Sequence, residues 1–141
     1  MLFKRLNRTD AERVFSVFQA NVANIAADDV VQLELTAASV DGVKIIQPTA
    51  AQLHAVVGIA DAAIANGAYG LVQIYGYRST SRILQSGSTL PLGVGLVAVA
   101  AQDWLDTISL AGVAGFLYPG FTLLETAQSA IGANSTVSKK I

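Results

Sequence analysis

Alternation, cut at short intervals by turn residues, constrains this chain more than any other feature. Val31, Leu33 and Leu35 alternate with Gln32, Glu34 and Thr36, the period-two pattern of a strand with one face buried. Asp41-Gly42 follows as a tight turn and Val43–Ile46 as the return strand, ended by Pro48, so a hairpin is expected. His54–Ala60 is a further apolar stretch, and Ala62–Asn66 has room for a single helical turn before Asn66-Gly67. The stretch Tyr69–Tyr77 is aromatic and β-branched, the clearest strand in the chain, and its Gly70 and Gly76 predict bulges or close backbone contacts. Ser81–Leu84, Leu96–Val99, Phe116–Tyr118 and Thr122–Glu125 supply later strands, with turns at Ser86-Gly87-Ser88 and Pro119-Gly120. Strands recurring about every 8–12 residues with turns between them predict an all-β chain, a β-sandwich or small β-barrel.

Residues 9–25 stand apart. Thr9-Asp-Ala-Glu12 has the form of a capping box, and Val14, Phe18, Val22 and Ile25 recur at helical spacing. Val14-Phe-Ser-Val-Phe18 is equally β-rich, and Asn21 and Asn24 are poor helix interiors. The local pattern leans slightly to helix and leaves both readings open. Residues 1–11 are expected to form an extended basic N-terminal arm, and residues 12–141 a single domain.

Composition narrows the class. Of 141 residues, 52% are hydrophobic and 13% charged, about half the usual charged share. Such a chain is too apolar to be disordered. A net charge of −1 argues against nucleic acid as partner, since that partner requires many cations. The low charge leaves either a membrane or a partner to cover the surface. The uncharged run Ile83–Gln102 holds Pro91, Gly93 and Gly95, and the run Thr107–Leu124 holds Gly112, Gly115, Pro119 and Gly120. Both break into short pieces, so no membrane span is expected. Lys4, Arg5 and Arg8 are followed by no apolar signal segment, and a cytoplasmic origin is expected. The sequons Asn7-Arg8-Thr9 and Asn134-Ser135-Thr136 then read as ordinary loop residues. Between Asp28 and Glu125 stand eight acids (Asp28, Asp29, Glu34, Asp41, Asp61, Asp103, Asp106, Glu125) and three bases, Lys44, Arg78 and Arg82. A mildly acidic body carries basic ends.

The sequence contains no cysteine, which removes disulfides, thiolate nucleophiles and sulfur-ligated metals. His54 is the only histidine and reads as a strand residue satisfied locally, without the partners a triad or metal site requires. Asp28-Asp29 and Asp103-Trp-Leu-Asp106 read as turn and loop charges, lacking the regular oxygen-ligand offsets of a calcium loop. Gly93-Val-Gly-Leu-Val-Ala98 matches a dinucleotide fingerprint. It follows Pro91, has valines that favour strand over helix, and lacks the acidic residue about 20 positions on. No catalytic residue, cofactor or metal is expected. Leu2, Phe3 and Leu6 place apolar anchors between Lys4, Arg5 and Arg8, and Tyr69, Tyr75 and Tyr77 fall at odd spacing on one strand face. These nine residues are the candidate interface, tyrosine being a residue that buries well and is enriched at interfaces.

Gly67-Ala-Tyr-Gly-Leu-Val-Gln-Ile-Tyr-Gly-Tyr77 resembles a segment of the small proteins that decorate or cement the capsids of tailed bacteriophages. Supporting pieces are Arg13–Val17, Asp28–Leu33, Asp41–Ile45, Val57–Ala60, Gly87–Leu90, Phe121–Thr126 and the Lys-Lys-Ile end. Asp28-Asp29 departs from the Gly-Asp common in that family, and family tails usually run further than Ile141. The resemblance implies β-sandwich or barrel modules that sit on the shell as oligomers and bridge neighbouring coat subunits. It also implies strand rather than helix for residues 12–19. The expected role is a non-enzymatic virion protein on the capsid surface, assembled in the host cytoplasm. Its expected partners are the major capsid protein and copies of itself, a trimer ahead of a dimer. The rival readings are the major coat protein itself, and a small enzyme or ligand-binding barrel around His54 and the Gly93 region.

Overall fold

The computed structural model describes residues 13–36, 42–85, 92–107, 121–122, 124 and 135–138. The chain is all-β: a closed five-stranded barrel carries a second, five-stranded sheet against its outer wall. In the barrel, β1 (Arg13–Ala20), β2 (Val30–Leu33), β3 (Lys44–Ile46), β4 (Val56–Ala60) and β5 (Tyr69–Gly76) run in the order β1-β3-β2-β4-β5, and β5 closes onto β1. The second sheet takes β6 (Arg82–Gln85), β7 (Gly95–Ala98), β8 (Leu105–Thr107), β9 (Phe121–Thr122) and β10 (Ser135–Ser138) in the order β10-β6-β8-β7-β9.

Tertiary pairing decides the ambiguous N-terminal segment. β1 lies antiparallel to β5 from Arg13, opposite Gly76, to Gln19, opposite Tyr69. It also runs parallel to β3 through Gln19 and Ala20. The helical spacing is overruled because Val14, Phe15, Val17 and Phe18 suit a pleated surface, and one strand here closes a whole barrel. The expected hairpin forms as β2 and β3, with Gln32 opposite Ile46 and Leu33 opposite Ile45.

Alternate residues divide the apolar side chains between two cores. Phe18, Ala20, Val31, Ile45, Ala60 and Val72 fill the barrel together with Ile25 and Ile64. Val30 and Ile59, the neighbours of Val31 and Ala60, pack instead with Ile83, Leu96 and Leu105 of the second sheet. The two units are also joined through the backbone. Val30 N–H donates to the Asp103 carbonyl at 3.2 Å, and Ala101 N–H to the Pro48 carbonyl at 2.7 Å.

Several expectations require correction. β2 is not half-exposed: Val30, Val31 and Gln32 are all fully buried, because the barrel covers one face and its surroundings cover the other. Gln32 is satisfied inside, donating to Thr49 Oγ1 and Gln52 Oε1 and accepting from Thr49 N–H at 2.8 Å. Glu34 is buried too, accepting from Asn21 and Thr36. Ala62–Asn66 makes no helical turn. Ile64 forms a β-bridge with Ile25, and Ala68 N–H donates to Ala65 to close a tight turn around Asn66-Gly67. Leu105–Thr107 is a strand where a charged loop was expected, and Ser135–Ser138 is a strand where a loop sequon was expected. The expected strand Phe116–Tyr118 and the turns at Ser86–Ser88 and Pro119-Gly120 lie outside the described residues.

Two glycines are required by close approach. A Cβ on Gly58 would stand 2.1 Å from the Gln73 carbonyl oxygen on β5. One on Gly70 would stand 2.4 Å from the Ile64 side chain. The obstacle at Gly58 is backbone and cannot rotate away. We therefore expect Gly58→Ala to cost about 3 kcal/mol by forcing β4 and β5 apart. Gly42 is a matched control: its φ of +71° strains any side chain, yet nothing lies within 4 Å of its Cβ position. Gly42→Ala should cost about 1 kcal/mol. Urea unfolding of both variants checks this, and equal losses would refute the packing argument.

Candidate interaction surface

β1 and β5 form the barrel wall that the second sheet leaves partly open. With Phe18 and Ala20 turned into the barrel, Phe15 and Val17 fall on its outer side. Val17 lies directly opposite Leu71, and Tyr69 opposite Gln19. Val17 is 56% exposed, Leu71 48% and Tyr69 64%, so apolar side chains stand side by side in water. Adjacent exposed apolar groups of this kind mark an interaction surface more often than scattered ones do.

The three candidate tyrosines do not share that face. Phe15 pairs with Gln73, but Val14 pairs with Tyr75, so Ile74 is an extra residue on β5. A one-residue bulge reverses the alternation. Tyr69 therefore projects on the side of Leu71, whereas Tyr75, 66% exposed, falls on the opposite side. Tyr77 lies past the strand end, half-buried, after Gly76 has turned the chain with a φ of +97°. Leu2, Phe3, Lys4, Arg5, Leu6 and Arg8, the rest of the expected interface, lie outside the described residues.

The turn after β5 is held by Gln73. Its Nε2 donates to the carbonyls of Gly76 at 3.1 Å and Tyr77 at 2.9 Å, and its Oε1 accepts from Arg78 Nη1 at 3.4 Å. Arg78 is 6% exposed and donates further to Asp28, Asp61 and the Ala60 carbonyl. Arg82 on β6 donates to Asp29 Oδ1 at 2.9 Å and to Asp103. Sequence reasoning assigned Asp28, Asp29 and Asp103 to turns and missed their arginine partners. About fifty residues separate Asp28 from Arg78 and Asp29 from Arg82, and no spacing rule links them. These pairs tie the loop before β2 to the segment that enters the second sheet. They also consume two of the three bases in the body of the chain, so the outer surface has fewer uncommitted charges than composition suggests.

The other sequence candidates are dispersed. His54 lies exposed in a 3₁₀ turn, Leu53–Ala55, and not in a strand. Gly95–Ala98 of the dinucleotide-like motif is strand β7 and has no helix to receive a phosphate. Among the described residues, no group of three or more metal-ligating side chains comes together, and no helix is long and apolar enough to cross a membrane.

Burial holds the Asp29 carboxyl above the ordinary aspartate range of 3.8. The hydrogen bonds from Ala26 N–H and Arg82 oppose the rise, and the charge of Asp103 adds to it. Burial also draws Arg82 down, but Asp29 and Asp103 more than offset that and keep the guanidinium charged. A carboxyl raised on folding adds stability that is complete below its unfolded value and is lost as pH rises through its folded value. We expect the stability of the wild type, measured relative to Asp29→Asn, to fall as pH rises from about 3 towards 7. Urea midpoints across that range check it, and a gap that widens in favour of the wild type with rising pH would refute it.

No family model, no curated protein and no solved structure was found to match this chain.

Proposed function

We propose that this protein is a non-enzymatic structural component that binds the outside of a tailed-bacteriophage capsid and bridges neighbouring coat subunits. The observation that carries the reading is the exposed apolar face of Phe15, Val17, Tyr69 and Leu71 on a closed barrel. A partner that covers this face gains roughly 1.5–3 kcal/mol for each such side chain fully buried. The barrel needs no rearrangement to receive it. The low charge of the whole chain supports the same reading, as does the resemblance of Gly67–Tyr77 to capsid-cementing proteins.

In this proposal the protein acts as a homo-oligomer, a trimer ahead of a dimer, on the virion surface, with the major capsid protein beneath it. The basic arm, with Leu2, Phe3 and Leu6 between Lys4, Arg5 and Arg8, lies across a neighbouring subunit. Most of its affinity then comes from the apolar anchors, because each exposed ion pair contributes only about 0–1 kcal/mol.

Occupancy on purified shells stripped of this protein tests the reading. Val17→Asp and Leu71→Asp should shift unfolding by no more than about 0.5 kcal/mol, the range of exposed sites. Each should nonetheless reduce occupancy at least tenfold. Deletion of residues 2–8 should spare folding and weaken attachment, with only a mild salt dependence. A wild-type protein that stays monomeric at micromolar concentration and does not bind shells would overturn the proposal.

A further inference from the structure

Asn66-Gly67 is the only Asn-Gly pair in the sequence, and it stands exposed at the tip of the turn between the Ile64 bridge and β5. Asparagine is thermolabile, because the main-chain nitrogen that follows it can attack its side-chain amide. A side chain on the following residue crowds that attack. Gly67 has none, and nothing lies within 4 Å of where a Cβ would stand. The Asn66 side chain makes no hydrogen bond among the described residues, so its amide is free to rotate.

The backbone of the pair is held instead, by the end of β1 and the loop that follows it. Gly67 N–H donates to the Ala20 carbonyl at 2.8 Å, and Asn66 N–H donates to Asn24 Oδ1 at 2.8 Å. Gln19 Nε2 donates to the Gly67 carbonyl at 2.9 Å, and Ala68 N–H to the Ala65 carbonyl at 2.9 Å. A nitrogen whose proton is donated, in a peptide plane fixed on both sides, cannot swing onto Asn66 Cγ. Reaction therefore draws on the locally opened turn, and the clasp sets its rate.

We infer that Asn66 is a self-modification site, at which the Gly67 nitrogen displaces the side-chain amide when the turn opens from the end of β1. The nitrogen gives its proton to base and bonds to Asn66 Cγ, closing a succinimide ring. The Cγ–Nδ2 bond breaks, and ammonia leaves with a proton returned from solvent. Water then opens the ring at either carbonyl, giving aspartate or isoaspartate, and nothing is oxidised or reduced. Both products place a carboxylate close in sequence to the exposed Tyr69. Isoaspartate also adds a carbon to the main chain, which alters the spacing of the two amides that Asn24 and Ala20 hold. No partner is required, so the reaction stands apart from the capsid reading.

Incubation of the full chain in mildly alkaline buffer, with the mass gain of amide-to-acid exchange located by peptide mapping, tests the inference. We expect Asn66 to react at least tenfold faster than Asn21 or Asn24, and at least tenfold slower in the folded chain than in urea. Gln19→Ala and Asn24→Ala each remove one bond of the clasp and should speed the folded-state reaction at least threefold. An isoaspartate-specific methyltransferase should label the product at position 66. Reaction at Asn66 no faster than at Asn21, equal rates in folded and urea-unfolded chains, wild-type rates in both clasp variants, or no modification of the folded chain would each overturn the inference.

Discussion

One strand is buried on both faces, and the architecture follows from that. β2 sends Val31 into the barrel and Val30 into the core shared with the second sheet, and both are fully buried. β4 divides Ala60 and Ile59 in the same way. A strand with two apolar faces cannot end at a solvated wall, so the second sheet is required to cover what the barrel leaves exposed. Gln32 shows how strictly this holds. It is buried with every polar atom of its amide engaged, as burial of an amide demands.

Covering the wall brings charge inside. Asp29 and Arg82 meet where barrel and sheet abut, and Arg78 sits under the turn that leads from one to the other. Removing either arginine would leave carboxylates in a poorly hydrated place, so these pairs fix how the two units meet more than they add net stability. The same arrangement leaves β1 and the outer side of β5 uncovered. The exposed apolar face is thus a by-product of where the second sheet sits.

Legibility in the sequence followed locality. β5 was plain because its aromatic and β-branched residues act within one strand, but its glycines mark other features than the expected bulges or backbone contacts: Gly70 meets the Ile64 side chain, Gly76 turns the chain, and the bulge lies at Ile74. The β2–β3 hairpin was plain because its alternating strands lie close in sequence, although Gln32 opposite Ile46 and Leu33 opposite Ile45 is not the register of a two-residue turn at Asp41-Gly42. β1 was not, since Val14, Phe18, Val22 and Ile25 fit a helix until β5 is placed beside them. The sidedness of Gln32 and Glu34 was misread because the cover over β2 comes from elsewhere in the chain. The bulge at Ile74 carries no signal of its own, so Tyr69 and Tyr75 were assigned to one face when parity alone was counted. The arginine–aspartate pairs were invisible for the same reason: each partner, taken alone, is an ordinary turn residue.

The barrel is closed, and that has a consequence for a protein with apolar side chains in water. Along their shared edge β1 and β5 pair from Arg13, opposite Gly76, to Gln19, opposite Tyr69, so the backbone between Val17 and Leu71 is engaged in the barrel's own ladder. Strand-by-strand growth into fibres needs a row of unpaired backbone groups, which this seam does not offer. Copies crowded together at high concentration and meeting over this seam therefore touch through Val17, Leu71 and Tyr69 by the fit of side chains. Contacts of that kind are reversible and sensitive to shape, and a wrongly placed copy can leave again.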